Sequence, residues 1–320
     1  MTAAWRDPST RWFLLAIAVG FALRLGWSIW AAQAPAQDVS DPGRFYVMAQ
    51  RFSMLQTEQI NGNVTAFTAP GYAFVLAPFA WLDRNTGWIS LAFSAALLNV
   101  VFGTVMVGAS GVLAQQWFGR AVRNPATWLV ALSPGYVYFT STLLSETLFT
   151  MLVVVALVAI TWLFTRDRRP RWQALVALGL LVGFATLVRF PAALLLPVPA
   201  LVLRSTTGSW RGSLRSCAWI ALGATVLLLP WAVRNQYHVG VFTPTSTNSA
   251  AYLCSGHHEG YQGDLPYDGP PECYEHSPFD EPGQVDEARW YRETTDDALQ
   301  YAVTHPVITV RNSLWKLWDA

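Results

Sequence analysis

Apolar runs near 20 residues long recur along the chain, and they constrain its fold more than any other feature. One such run crosses the hydrocarbon core of a bilayer, about 30 Å, as a single α-helix. Within that core each backbone N–H and C=O needs a partner inside the protein, which leaves helices or closed barrels. Of the 320 residues, 53% are hydrophobic and only 13% charged, where a soluble protein carries about 25% charged residues. The expected fold class is an all-α polytopic membrane protein.

Seven transmembrane helices are expected, at about 12–32, 87–115, 125–140, 142–164, 172–188, 190–203 and 217–233. The third and sixth are short and hold Pro125, Pro134, Pro191, Pro197 and Pro199. Helices of that kind survive where neighbouring protein covers the freed backbone groups. The segment Pro70–Leu82 is too short to span and reads as one that lies in the interface or re-enters. The first apolar segment is long, contains Arg24 and lacks a nearby small-residue cleavage site, so it reads as an anchor.

Arginine sets the expected orientation. Arg6, Arg11, Arg120, Arg123, Arg166, Arg168, Arg169, Arg171, Arg204, Arg211 and Arg215 all fall on one side of this arrangement. Only Asp7 and Asp167 oppose them there, so that side reads as cytoplasmic and the chain as a multi-pass protein of the cell membrane. The N-terminus is then cytoplasmic, and the polar segments 33–86 and 234–320 lie outside. Two regions follow: a transmembrane core over 1–233, which includes the first outer loop 33–86, and an outer region over 234–320.

Residues 256–297 hold 12 of the 20 acidic residues. Gly256–Gly283, rich in Gly and Pro, reads as an irregular loop. Within the wider stretch 246–283, Asn248, Tyr252, Tyr261 and Tyr267 are candidates for contact with a sugar or an acceptor. Helices are expected over about 285–304 and 307–318, the second with Trp315, Lys316 and Trp318 suited to a membrane interface. Cys254 and Cys273 share this outer segment and could pair as a disulfide. Cys217 falls in a span and reads as a small apolar residue.

The ionisable residues near the outer face carry the chemistry. Asp38 and Asp41 follow the first span, where the chain re-enters water. One carboxylate there can act as general base on an acceptor hydroxyl. Alternatively, both are solvated loop acids, or Asp41 caps the helix starting near Pro42. Arg189 and Arg234 fall at the outer ends of the fifth and seventh spans. A departing lipid phosphate needs no proton but does need a cation, and these two arginines could supply it. Alternatively, each snorkels to lipid phosphate. Glu146 is the only acid within the spans; it could line a cavity, bind a metal or lock an arginine. Any metal would be a divalent ion such as Mg or Mn, with Asp38, Asp41, His257, His258 and Glu259 as candidate ligands. Solvated loop residues explain the last three more simply.

Several ordered stretches resemble the GT-C superfamily of polyprenyl-phosphate-sugar glycosyltransferases. The likeness is to the protein O-mannosyltransferase and lipid A aminoarabinose transferase group, family 39-like. Asp41 through Arg44-Phe45-Tyr46-Val47-Met48-Ala49 is similar to the family's Asp-then-Tyr-x-x-Ala run. Thr68-Ala69-Pro70-Gly71-Tyr72 resembles its Pro-Gly-Tyr segment, and Leu144-Ser145-Glu146-Thr147-Leu148-Phe149 its Glu-bearing span. Leu187-Val188-Arg189-Phe190-Pro191 and Pro230-Trp231-Ala232-Val233-Arg234-Asn235 resemble its two arginine segments, and His305-Pro306 followed by Lys316 the run before its later spans. The resemblance implies a mannosyltransferase-like enzyme of the cell envelope. Its donor would be a polyprenyl-phosphate sugar. Its acceptor would be an extracytoplasmic protein, lipid or glycan, and its other partners membrane lipids. No nucleic acid is expected.

By the same resemblance Asp41 is the base, Asp38 its neighbour, and Arg189 and Arg234 hold the donor phosphate. Tyr46 and Asn235 support the site. Asp41 stands further from Tyr46 than the family's spacing, so the choice between Asp38 and Asp41 stays open. Family members continue with further spans, whereas this sequence stops at Asp319-Ala320. A fragment, a compact member and a chain that needs a partner all fit. Two other functions compete: a transporter or flippase of lipid-linked sugars, and a non-catalytic membrane scaffold.

Overall fold

The computed structural model describes residues 7–31, 40–166, 170–207, 210–257, 273, 277–279, 283 and 285–319. They form two compact units, Met1–Gln56 with Ala69–Leu229 and Thr57–Thr68 with Pro230–Ala320.

The first unit is built of helices: α1 Pro8–Ala31, α2 Asp41–Ser53, α3 Gly71–Thr86, α4 Leu91–Phe118, α5 Arg120–Leu132, α6 Pro134–Tyr138, α7 Glu146–Arg166, α8 Trp172–Val188, a 3-10 turn at Phe190–Leu195, α9 Val198–Thr207 and the first two-thirds of α10 Trp210–Val239. By length and apolar composition α1, α4, α7 and α10 can each cross a membrane. The fold is thus all-α in its membrane part. α8 and the stretch Phe190–Val202 are apolar but shorter.

The two proline-bearing segments are each interrupted rather than one continuous helix. Ser133-Pro134 separates α5 from α6, because proline lacks the N–H that would continue the ladder. Pro197 likewise separates the 3-10 turn from α9. The break after α5 leaves its last carbonyls without helical partners. Arg24, fully buried in α1, meets them: Nη1 donates to the Ala131 carbonyl and Nη2 to the Val130 carbonyl, both at 3.0 Å. Gly103 makes room for it, since a Cβ there would sit 2.8 Å from Arg24 Nε. Glycines also let α8 and α10 touch backbone to backbone. A Cβ on Gly179 would lie 2.1 Å from the Ile220 carbonyl oxygen, and one on Gly183 would lie 2.8 Å from Ala224 Cα. Small residues drive helix association of this kind in apolar surroundings.

One core cluster joins α2, α3, α4, α7 and α8 through Phe45, Tyr72, Leu76, Leu91, Leu148, Leu152 and Val188. Gly71 belongs to this packing, for a Cβ on it would fall 2.6 Å from the Val188 nitrogen.

The second unit holds the end of α10, a two-stranded antiparallel hairpin (β1 Gln59–Ile60, β2 Asn63–Val64), α11 Asn248–Gly256, α12 Glu287–Thr304 and α13 Pro306–Asp319. The hairpin turns on Asn61 and Gly62, at φ 49° and 84°, the left-handed pair that a two-residue turn requires. Ile60, Phe67, Ala250, Ala251 and Trp290 form its core. A disulfide joins Cys254 to Cys273, and Trp290 Nε1 donates to the Cys273 carbonyl at 3.1 Å. Tyr252 sits exposed on α11 rather than in a loop, because Ala250 and Ala251 beside it are buried against the core. Tyr261 and Tyr267 lie outside the described residues. Cys217 is a free, half-buried thiol in α10.

Candidate functional site

Asp41 is the first residue of α2. Ser40 caps the helix, accepting from the Gly43 amide, and Pro42 follows with its preset φ. The carboxylate is 45% exposed and pairs with Arg44 one turn along the helix. A carboxylate at this end also meets the positive pole of the helix. Tyr46 lies in the same helix, partly buried; burial, and secondarily the charge of Asp83, pushes its hydroxyl pKa up. Asp38, His258 and Glu259 lie outside the described residues. His257 Nδ1 faces the Leu253 carbonyl at 3.0 Å. Among the described residues no three His, Cys, Asp or Glu side chains gather as a metal site.

Glu146 opens α7, and Arg189 follows the last residue of α8. These helices pack on one another, so the two side chains meet and form an ion pair. Arg189 Nε also donates to Ser145 Oγ at 2.9 Å. Arg189 remains 38% exposed and Glu146 29%. The other Glu146 oxygen is buried without a hydrogen bond.

Tyr72 and a residue not among the sequence candidates, Asn99, hold this corner. Asn99, fully buried in α4, donates to the Thr142 carbonyl at 2.9 Å and accepts from the Tyr72 hydroxyl at 3.3 Å. Thr142 lies in the non-helical link that leads into Ser145 and Glu146. Burial pushes the Tyr72 hydroxyl pKa up, against the hydrogen bond to Asn99, and the charge of Glu146 adds to the rise. A lone Asn inside the apolar run of α4 was the available signal.

Asp41 and the Glu146–Arg189 pair belong to one unit. Phe45, one turn beyond Asp41, shares a packed cluster with Leu148 and Val188, which adjoin Glu146 and Arg189. Arg234 belongs to the other unit. It lies over the Trp231 ring, 4.8 Å from its centroid. Its Nη1 donates to the Thr65 carbonyl at 2.8 Å and to Asn235 Oδ1 at 3.0 Å. Asn235 is buried and donates to the Thr243 carbonyl at 2.9 Å. Near Arg234 stand two buried acids, Glu58 and Glu287, 3% and 5% exposed. Neither was legible in the sequence, since both sit among polar residues in segments more than 200 positions apart.

No family model matches the chain, and no curated protein is similar to it.

Proposed function

We propose that the chain transfers a sugar from a polyprenyl-phosphate donor to an acceptor hydroxyl on the extracytoplasmic face, with inversion. In this reading the third, fifth and sixth crossings are the α5–α6 pair, α8, and the 3-10 turn with α9. Arginine distribution sets the N-terminus in the cytoplasm. The packing that supports the reading is local. An exposed carboxylate, Asp41, heads a helix whose next turn packs on the core flanking an exposed arginine, Arg189.

The chemistry needs two charges. Asp41, or Asp38 as the alternative, takes the proton of the acceptor hydroxyl as that oxygen attacks the anomeric carbon. The bond from that carbon to the phosphate oxygen breaks, and the lipid phosphate leaves with the electron pair. Arg189 turns from Glu146 toward the departing anion; fork-shaped guanidinium donors suit phosphate oxygens. Asn99 and Tyr72 hold the link that carries Ser145 and Glu146, and so keep the arginine where the phosphate arrives.

The test is sugar transfer from a panel of polyprenyl-phosphate donors, with and without EDTA. Release of sugar from at least one donor, lost in Asp41→Asn or Asp38→Asn protein that still inserts, is the expected result. Full activity in both variants would refute the mechanism. Movement of the intact lipid without sugar release would indicate a flippase instead.

A further inference from the structure

The segment Thr65–Thr68 is buried along its whole length, yet it is neither helix nor strand. Its backbone groups are met largely by side chains. Glu287 Oε1 accepts from the Ala66 amide at 3.2 Å and Glu58 Oε1 from the Thr68 amide at 3.1 Å. Arg234 Nη1 donates to the Thr65 carbonyl, and the Thr247 amide donates to the Ala66 carbonyl at 2.9 Å. Glu287 Oε1 also accepts from the Thr247 hydroxyl at 2.5 Å. Every one of these residues belongs to the second unit.

The charges do not balance. Two carboxylates face one guanidinium, and the second oxygens of Glu58 and Glu287 are both buried without a hydrogen bond. An uncompensated carboxylate in a dry site is among the most costly groups a protein can hold, and it is relieved by taking up a proton. The groups facing Glu58 are Glu287 from α12, Arg234 from α10 and the Thr68 amide from its own segment. Burial above all, with the charge of Glu287, raises its pKa to about 8, against the hydrogen bond from Thr68 and the charge of Arg234. Glu287 is also raised, by burial first, against its hydrogen bonds and the charge of Arg234.

We propose that Glu58 and Glu287 form a proton-binding site that clamps the Thr65–Thr68 segment, and that loss of the proton to bulk water opens the clamp. With the proton bound, the site carries one carboxylate and one guanidinium, and both acids stay on the segment's amides. Without it, the least costly relief is for Glu58 to turn out to water, which strips the Thr68 amide of its acceptor. The clamp therefore holds at neutral and acid pH and loosens in mildly alkaline solution. It does not depend on the transferase reading.

Hydrogen exchange on the full chain in detergent micelles tests it, with rates corrected for intrinsic exchange. Protection of the Ala66 and Thr68 amides should hold up to about pH 7 and fall about tenfold or more by about pH 9, as ionisation of Glu58 is coupled to local opening. Glu58→Gln, which stays neutral, should keep its protection across that range. Flat protection in the wild type, or the same fall in Glu58→Gln, would overturn the proposal. If the variant does not fold, infrared spectra of the wild type decide. A protonated-carboxyl band lost between those pH values supports the site, and its absence at neutral pH refutes it.

Discussion

Arg24→Met tests whether a buried cation holds the broken helix α5 in place. In the native chain Arg24 bonds the Val130 and Ala131 carbonyls of α5 and the Gly20 carbonyl of its own helix. Its Nε is buried without a partner, so the residue already bears part of its desolvation cost. Methionine fills most of the same volume and removes both that cost and the bonds. A carbonyl left buried without a donor costs about 1–3 kcal/mol, so the two on α5 cost about 2–6 kcal/mol together. Relief of the buried charge offsets part of this, because apolar replacement of buried ions can itself stabilise by about 1–4 kcal/mol. The orphaned carbonyls should win, with a net loss of about 1–3 kcal/mol. Reversible unfolding in mixed micelles measures it. Gly103→Ala perturbs the same contact without removing the charge, by pressing a methyl to 2.8 Å from Nε, and should lose about 1–3 kcal/mol. Unchanged or higher stability in Arg24→Met would mean that the guanidinium's burial outweighs its bonds, and would refute the capping argument.

Gly71→Ala forces a methyl against the Val188 backbone, where neither side can yield, and should cost about 1–3 kcal/mol in the same unfolding assay. Cys254→Ser with Cys273→Ser opens a loop of sequence separation 19 and should lower the stability of the second unit by about 3 kcal/mol, read by its denaturant midpoint. The folded chain binds the Glu58 proton more tightly than the unfolded chain. That stabilisation is complete below the usual 4.5 and is lost as pH rises through about 8; it amounts to at most about 5 kcal/mol. Urea midpoints should therefore fall over that window in the wild type and much less in Glu58→Gln. Arg189→Lys should raise KM for a lipid-phosphate donor about tenfold with little loss of unfolding midpoint, whereas Arg234→Lys should lower the midpoint first.

The membrane character of the fold was legible because it rests on composition over 20-residue windows, and tertiary contacts do not alter it. The proline-bearing segments were readable as weak helices. The partner of the carbonyls freed between α5 and α6 was harder to see, because Arg24 reaches them from 106 and 107 positions away. The hairpin had a local signal in Asn61-Gly62, but two-residue strands are too short for alternation to mark them. Glu146 and Arg189 were each visible as polar residues at the ends of apolar runs. Their pairing follows from two consecutive helices that turn back on each other. Glu58 and Glu287 left no trace of that kind. Each looks like an ordinary loop or helix-end acid, and only the packing of Thr57–Thr68 with 230–320 buries them.

The two arginine sites differ in a way that bears on phosphate binding. Arg189 faces one carboxylate, Glu146, and is more than a third exposed, so an incoming phosphate has one acid to displace and water around it to help. Arg234 lies over the Trp231 ring, gives one bond to a backbone carbonyl and stands in the field of two buried acids. Were Glu58 ionised, a phosphate approaching it would meet a net negative charge at close range, where low dielectric strengthens repulsion. Were Glu58 protonated, Glu287 would still balance the guanidinium. In neither state does Arg234 present a surplus positive charge. Charge alone does not separate the two sites, since Glu146 balances Arg189 as Glu287 balances Arg234. What separates them is that Glu146 is partly open to water while Glu58 and Glu287 are buried. In the transferase reading Arg189 is therefore the better phosphate ligand, and Arg234 holds Thr65 beside the carboxylates that hold Ala66 and Thr68.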